Sequence, residues 1–158
     1  MRDVIFSNTI QGAFQHVKIY PKEWTTEERE KFRLNIRRQL DELVEKYSVG
    51  LISSEEHISI LDSLASRNNF AFGVAQKLLN LYLKYLWCVD EIKTPPHCPV
   101  DSRILAEVNL TEIRWSKMDR ASYENALHYI SEKSSKEGFQ NISEWELETF
   151  NKTNQYRA

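Results

Sequence analysis

The chain has 158 residues, 41% of them hydrophobic and 28% charged, with a formal net charge of −2. That balance is globular and long enough for one domain with a real core, so global disorder is excluded and no overall basic field advertises a nucleic-acid partner. The two cysteines, Cys88 and Cys98, can build neither a disulfide framework nor a four-cysteine cluster within one chain.

The N-terminal residues Met1 to Asn8 lack the long apolar run of a signal peptide, and no uncharged run approaches the ~18 apolar residues of a membrane span. A cytoplasmic protein with reduced thiols is expected, with no membrane association, no metal and no cofactor. Residues 1–22 read as an irregular arm lying on the core. Val4, Ile5 and Phe6, then Val17, Ile19 and Tyr20, suggest short extended pieces, and Pro21 limits the second.

Helix signals begin at Thr25-Thr-Glu-Glu28, a capping box that satisfies otherwise orphaned backbone N–H groups. Phe32, Ile36, Leu40, Leu43 and Tyr47 then recur at helical spacing, and Gly50 supplies a stop. Ser53-Ser-Glu-Glu56 is a second capping box, leading into Ile58, Leu61 and Leu64, and Asn68-Asn69 ends that helix.

The third helix runs from about Gly73 to Trp87 and is the most apolar segment of the chain. A helix apolar on most of its faces is packed by neighbours on several sides, so this one is expected at the centre. Pro95, Pro96 and Pro99 exclude helix from the following loop. A short helix restarts at Asp101, an acceptable cap, through Ile104, Leu105 and Val108. Ser116-Lys-Met-Asp119 opens a fifth helix with Tyr123, Leu127 and Ile130 on one face, ended by Gly138. Ser143-Glu-Trp-Glu146 caps a last short helix bearing Leu147 and Phe150, and Asn151 to Ala158 form a polar, frayed tail. The expected fold is therefore all-α, a compact bundle of about six helices in a single domain over residues 1–158.

Chemistry concentrates between Gly73 and Asp101. Gly73-Val-Ala-Gln-Lys77 sits where a loop turns into the central helix. A glycine there permits a crowded backbone and lets the first free N–H groups approach an anion such as a DNA phosphate. Lys77 lies one turn in, on an apolar helix, where a lysine can serve as a nucleophile. Asp101 opens the next helix, and a loop can bring the two together. An amine beside a carboxylate suits attack at a sugar carbon, the carboxylate stabilising positive charge on the sugar.

At these residues the chain resembles the helix-hairpin-helix DNA glycosylase superfamily, the endonuclease III and 8-oxoguanine glycosylase group. That family reads glycine, apolar, glycine, any residue, lysine, then an apolar helix and a loop ending in proline or alanine, valine and aspartate. Gly73, Val74, Lys77, Pro99, Val100 and Asp101 stand at those places. The resemblance spans about residues 70–108. Ala75 replaces the second glycine, Arg103 stands where the family often has histidine, and the Lys77-to-Asp101 interval is longer than usual. The resemblance implies a helix-hairpin-helix-like centre and DNA as partner, contacted by Gly73, Val74, Ala75, Gln76 and Arg103. It further implies glycosylase and lyase chemistry, with Lys77 forming a Schiff base at the sugar C1′ and Asp101 activating it or supporting the oxocarbenium ion.

Each of these residues also has a plainer reading. Lys77 can lay its stem over the core, Asp101 can simply cap a helix, and Gly73 can serve only the turn. Cys88 is expected in the core and His97 along a loop rather than around a metal. Trp87, Trp115 and Trp145 are expected to pack the core rather than to form a base pocket. The Arg29 to Arg38 stretch, mixed with Glu27, Glu28 and Glu30, is expected to be a solvated helix face. The alternative function is a non-catalytic helical module for protein interaction or self-association.

Overall fold

A computed structural model describes the backbone of residues 1–155 and the side chains of residues 1–152. Among the described residues the fold is all-α, with no strand and with seven helices: α1 (Arg2–Phe14), α2 (Thr26–Val49), α3 (Ser54–Asn68), α4 (Phe72–Cys88), α5 (Ser102–Glu107), α6 (Arg120–Lys136) and α7 (Ile142–Gln155). A 3-10 turn, Trp115–Lys117, precedes α6. Among the described residues no helix is long and apolar enough to cross a membrane.

The expected irregular arm is the first correction. Residues 2–14 form α1, whose buried Ile5, Thr9 and Ala13 recur every four residues and lie against α4. Thr9 is accommodated in that stripe because its hydroxyl donates to the Ile5 carbonyl one turn back, at 2.8 Å. Only the link from residue 15 to Thr25 is irregular, and its Tyr20 and Trp24 gather with Phe14, Phe32 and Phe70 into an aromatic cluster.

The capping signals explain the next boundaries. Thr25 and Glu28 form the full reciprocal box, at 3.1 and 2.9 Å, and the Ser53 hydroxyl accepts the Glu56 N–H. Helix α3 ends at Asn69 in the left-handed region, φ 55°, a conformation asparagine tolerates better than most residues. Two cap assignments change. Asp119, not Ser116, caps α6 by accepting the Ser122 N–H. Asn141, not Ser143, caps α7 by accepting the Glu144 N–H. Helix α7 also runs through Gln155, so much of the expected frayed tail is helical, and residues 156–158 lie outside the described residues.

Helix α4 is the central element. It packs against α1, α2, α3, α6 and the 3-10 turn, and its Leu78, Leu79, Tyr82, Leu83 and Leu86 have no exposed surface. Beneath it lies a polar chain. The Tyr47 hydroxyl bonds His57 Nδ1 at 2.6 Å, and His57 Nε2 bonds Asn80 Oδ1 at 2.7 Å. Asn80 Nδ2 donates to the Tyr123 hydroxyl, which bonds His97 Nδ1 at 2.7 Å, and His97 Nε2 bonds the Ser54 hydroxyl. One direction satisfies every member. Tyrosine O–H groups donate to Nδ1, and each Nε2–H donates onward, which requires both imidazoles to be neutral.

His97 is therefore no loop-lining residue but a buried one, and Cys88, expected in the core, is exposed. Burial pulls His57 down to about 4; burial and the neighbouring His57 pull His97 down to about 3. An unfolded histidine titrates near ~6.5, so between that pH and 4 the unfolded chain binds protons that the native one refuses. Stability is thus expected to be full above pH 6.5 and to fall by a few kcal/mol, order of magnitude, as pH drops to about 4. Urea unfolding followed by circular dichroism at pH 7.5, 6, 5 and 4 checks this, and a flat profile contradicts the neutral network.

Candidate active site

The Lys77 ammonium and the Asp101 carboxylate meet at 2.7 Å, Nζ to Oδ2. Helix α4 supplies the lysine and the start of α5 the aspartate, so the loop 95–100 must be held in one place for them to meet. Gln76 does this. Its amide Nε2 donates to the Val100 carbonyl at 2.7 Å, and its Oε1 accepts the Val100 N–H at 3.1 Å. Asn80 adds a bond to the Cys98 carbonyl, and the Ser143 hydroxyl reaches the carbonyls of Pro95 and His97. Three residues of two helices thus fix the backbone immediately before Asp101.

Asp101 carries both of the roles considered for it. Its Oδ1 accepts the Ile104 N–H at 3.1 Å and caps α5, while its Oδ2 holds Lys77. Burial alone would raise its pKa, but the Lys77 charge and hydrogen bond and the Ile104 N–H outweigh burial and hold it below the usual carboxylate range. Lys77 is 8% exposed, and its Nζ also lies 5.7 Å from the centroid of the Trp115 ring.

The pair opens into a cleft of about 420 Å³. Helix α4 lines it with Lys77, Leu81 and Lys84. Gly12 and His16 at the end of α1, Trp115 of the 3-10 turn, and Glu146 and Phe150 of α7 form the other walls. Its volume lies within the range of ordinary small-ligand sites. A second buried ion pair lines the same cleft, Lys84 Nζ to Glu146 Oε1 at 2.9 Å. Burial pushes the Glu146 carboxyl above the usual range, although Lys84 pulls it down. Arg103 lies beside this second pair, its guanidinium 4.5 Å from the Phe150 ring centroid.

The remaining expected DNA contacts are placed elsewhere. Val74, Ala75 and Gln76 are buried, 2%, 0% and 0% exposed, and Gln76 faces the Val100 backbone. The Gly73 N–H donates to the Met118 carbonyl at 2.8 Å, and those of Val74 and Ala75 donate to the Ala71 carbonyl. This turn has no free amide cradle for a phosphate. Gly73 is required for another reason. A Cβ on it would stand 1.7 Å from the Trp115 carbonyl oxygen, so the glycine admits the 3-10 turn against α4.

Of the tryptophans weighed for a base pocket, Trp145 is core, Trp87 is half-buried, and Trp115 alone lines the cleft. On α2, Arg33 with Glu30 and Arg38 with Asn35 make the local contacts of a solvated face, whereas Arg37 pairs with Asp3 of α1 and Arg29 lies over the Tyr20 ring. Among the described residues no group of three histidine, cysteine or acidic side chains is placed to hold a metal. Sequence reasoning passed over Gln76 as a positioning residue, and over Asn80, Lys84 and Glu146. The available signal was the recurrence of polar residues at 76, 80 and 84 on a helix otherwise apolar all round. No known family model matches the chain, and neither a curated protein nor a solved structure is significantly similar to it.

Because the atoms crowding Gly73 are backbone, they have no side-chain freedom with which to yield. Gly73→Ala is expected to destabilise by ~3 kcal/mol or more, the range of severe core substitutions. Gly12→Ala is the control. A Cβ there would lie 2.7 Å from Leu81 Cδ2, the tip of a side chain that can turn aside, and about 1 kcal/mol is expected. Thermal unfolding of the two variants tests the difference, and equal losses contradict it.

Proposed function

We propose that the protein acts on DNA as a base-excision enzyme, with Lys77 as nucleophile and Asp101 as the group that takes its proton. The observation that carries this reading is the 2.7 Å Lys77–Asp101 contact, largely shielded from water yet bordering an open cleft. A lysine that merely covered the core would point its amine into solvent, and an aspartate that merely capped α5 would have no ammonium on its second oxygen.

The chemistry follows from the pair. When a ligand closes the cleft to water, Asp101 Oδ2 accepts a proton along the existing hydrogen bond and leaves Lys77 with a free lone pair. The amine adds to the sugar C1′, and the bond from C1′ to the base breaks. Its electron pair leaves with the base, which collects a proton. Opening of the sugar ring then gives the imine between Nζ and C1′. At an abasic site the same amine condenses with the C1′ aldehyde and releases water. Asp101 Oδ1, held by the Ile104 N–H, keeps the carboxylate from turning away.

A second reading is favoured by the occupied amides of Gly73, Val74 and Ala75 together with the net charge of −2. On that reading the bundle binds a protein partner or a copy of itself, and the pair is structural. Borohydride trapping on an oligonucleotide with an abasic site separates the two. Wild type is expected to give a covalent adduct, Lys77→Ala none, and Asp101→Asn an adduct forming ~10²–10⁴-fold more slowly, the usual contribution of a positioned proton acceptor. No adduct with wild type, or one undiminished in Lys77→Ala, sinks the enzymatic reading.

A further inference from the structure

The Lys77–Asp101 chemistry leaves half of the cleft unused, and that half carries two cations, Lys84 and Arg103, against one carboxylate, Glu146. Lys84 is 6% exposed, and its ammonium has a single hydrogen-bond acceptor among the described residues, Glu146 Oε1. An ammonium has three N–H donors, and two of these have none. Nζ instead lies 4.2 Å from the centroid of the Phe150 ring. The Arg103 guanidinium approaches the same ring at 4.5 Å and has no hydrogen bond or ion pair among the described residues.

Two cations brought to one phenyl ring repel each other, and Glu146 compensates only one of them. Cation–π attraction engages the ring face and satisfies none of the N–H donors. An anion with several acceptor oxygens would complement both cations.

We infer that Lys84, Arg103 and Phe150 form a subsite for one phosphodiester of the DNA strand whose sugar meets Lys77. This rests on the function proposed above and adds to it the part of the substrate that the second half of the cleft holds. The charge count favours a diester. Lys77, Lys84 and Arg103 face Asp101 and Glu146, leaving one positive charge. A phosphodiester carries one negative charge, whereas a phosphomonoester carries ~1.5–2 at neutral pH. The spacing favours a strand over a free anion. Lys77 and Lys84 are seven residues apart on one helix, ~10 Å at 1.5 Å per residue, more than a lone phosphate can span. Phe150 lies beside the phosphate, where its ring supports the two cations and walls off water.

The test measures binding without chemistry. A fluorescein-labelled single strand containing a tetrahydrofuran abasic analogue, which cannot form an imine, is titrated by anisotropy across a salt series. Arg103 is half-buried on a six-residue helix, so Arg103→Gln is expected to fold normally. It should weaken binding ~10-fold at 0.1 M salt and flatten the plot of log K against log salt by ~0.7, one single-strand phosphate contact. The paired change Lys84→Gln with Glu146→Gln keeps the buried contact uncharged and removes the ammonium, and a loss of ~10-fold is again expected.

An unchanged slope and affinity in Arg103→Gln overturns the subsite, as does wild-type binding that ignores salt. An unaffected double variant removes Lys84 from it. Competition by millimolar inorganic phosphate as effective as unlabelled strand makes the ligand a free anion and overturns the diester assignment. The trapping experiment fails independently: an adduct with an unchanged slope keeps the chemistry and discards the subsite, and a flattened slope with no adduct does the reverse.

Discussion

Helix α4 is buried on nearly every side and still carries Gln76, Lys77, Asn80 and Lys84, all of them below a tenth exposed. A buried polar group without a partner costs ~1–3 kcal/mol, and a buried charge costs more. Much of the rest of the structure answers that constraint. Loop 95–100 supplies backbone to Gln76 and Asn80, α5 supplies Asp101 to Lys77, and α7 supplies Glu146 to Lys84. The three prolines of the loop suit this task. They remove N–H groups that would otherwise need acceptors in a largely buried segment. Folding of the second half of the chain and assembly of the candidate site are thus the same process.

The features legible in the sequence were those whose cause is local. Thr25 with Glu28, Ser53 with Glu56, and Asp101 before a short apolar run are caps, and a cap is set by three or four consecutive residues. The all-round apolarity of α4 announced its central position in the same way. Helix α1 was not legible because its stripe is narrow and includes Thr9 and Ala13, and because no side chain caps its start. Its helicity depends on packing against α4, which no window of its own sequence reports. The misassigned cap at Ser143 has the same origin. Serine fits a cap, but its hydroxyl was needed by the Pro95 and His97 carbonyls, nearly fifty residues earlier.

The candidate site divides along the same line. Lys77 and Asp101 were found from a short register of residues, whereas Lys84 with Glu146, 62 positions apart, depends on where α7 is laid down. Gly73 was marked as a residue whose backbone mattered, and it does. The reason is the Trp115 carbonyl, which comes from a turn 42 positions later and is invisible to any local pattern. The Gly73 amide that was expected to meet a phosphate is tied up as well, by the Met118 carbonyl. Positive character must then come from side chains in the cleft, and this moves the proposed DNA contacts from the hairpin to Lys84 and Arg103.

The two readings of Asp101 do not compete once the geometry is known. A carboxylate has two oxygens, and a helix cap uses one. Because Oδ1 is occupied by the Ile104 N–H, rotation about the Cβ–Cγ bond would break a charge-assisted hydrogen bond, so Oδ2 stays on Lys77. An uncapped aspartate on a proline-rich loop would have no such restraint. Although burial opposes it, the Lys77 charge and hydrogen bond hold the Asp101 pKa below the usual carboxylate range, so the carboxylate is ionised. Transfer to Oδ2 becomes favourable only when the surroundings disfavour the ion pair, as happens when a ligand displaces water and brings its own phosphate charge near the carboxylate. On the proposed function, the resting enzyme therefore holds its nucleophile masked as an ammonium, and substrate binding unmasks it.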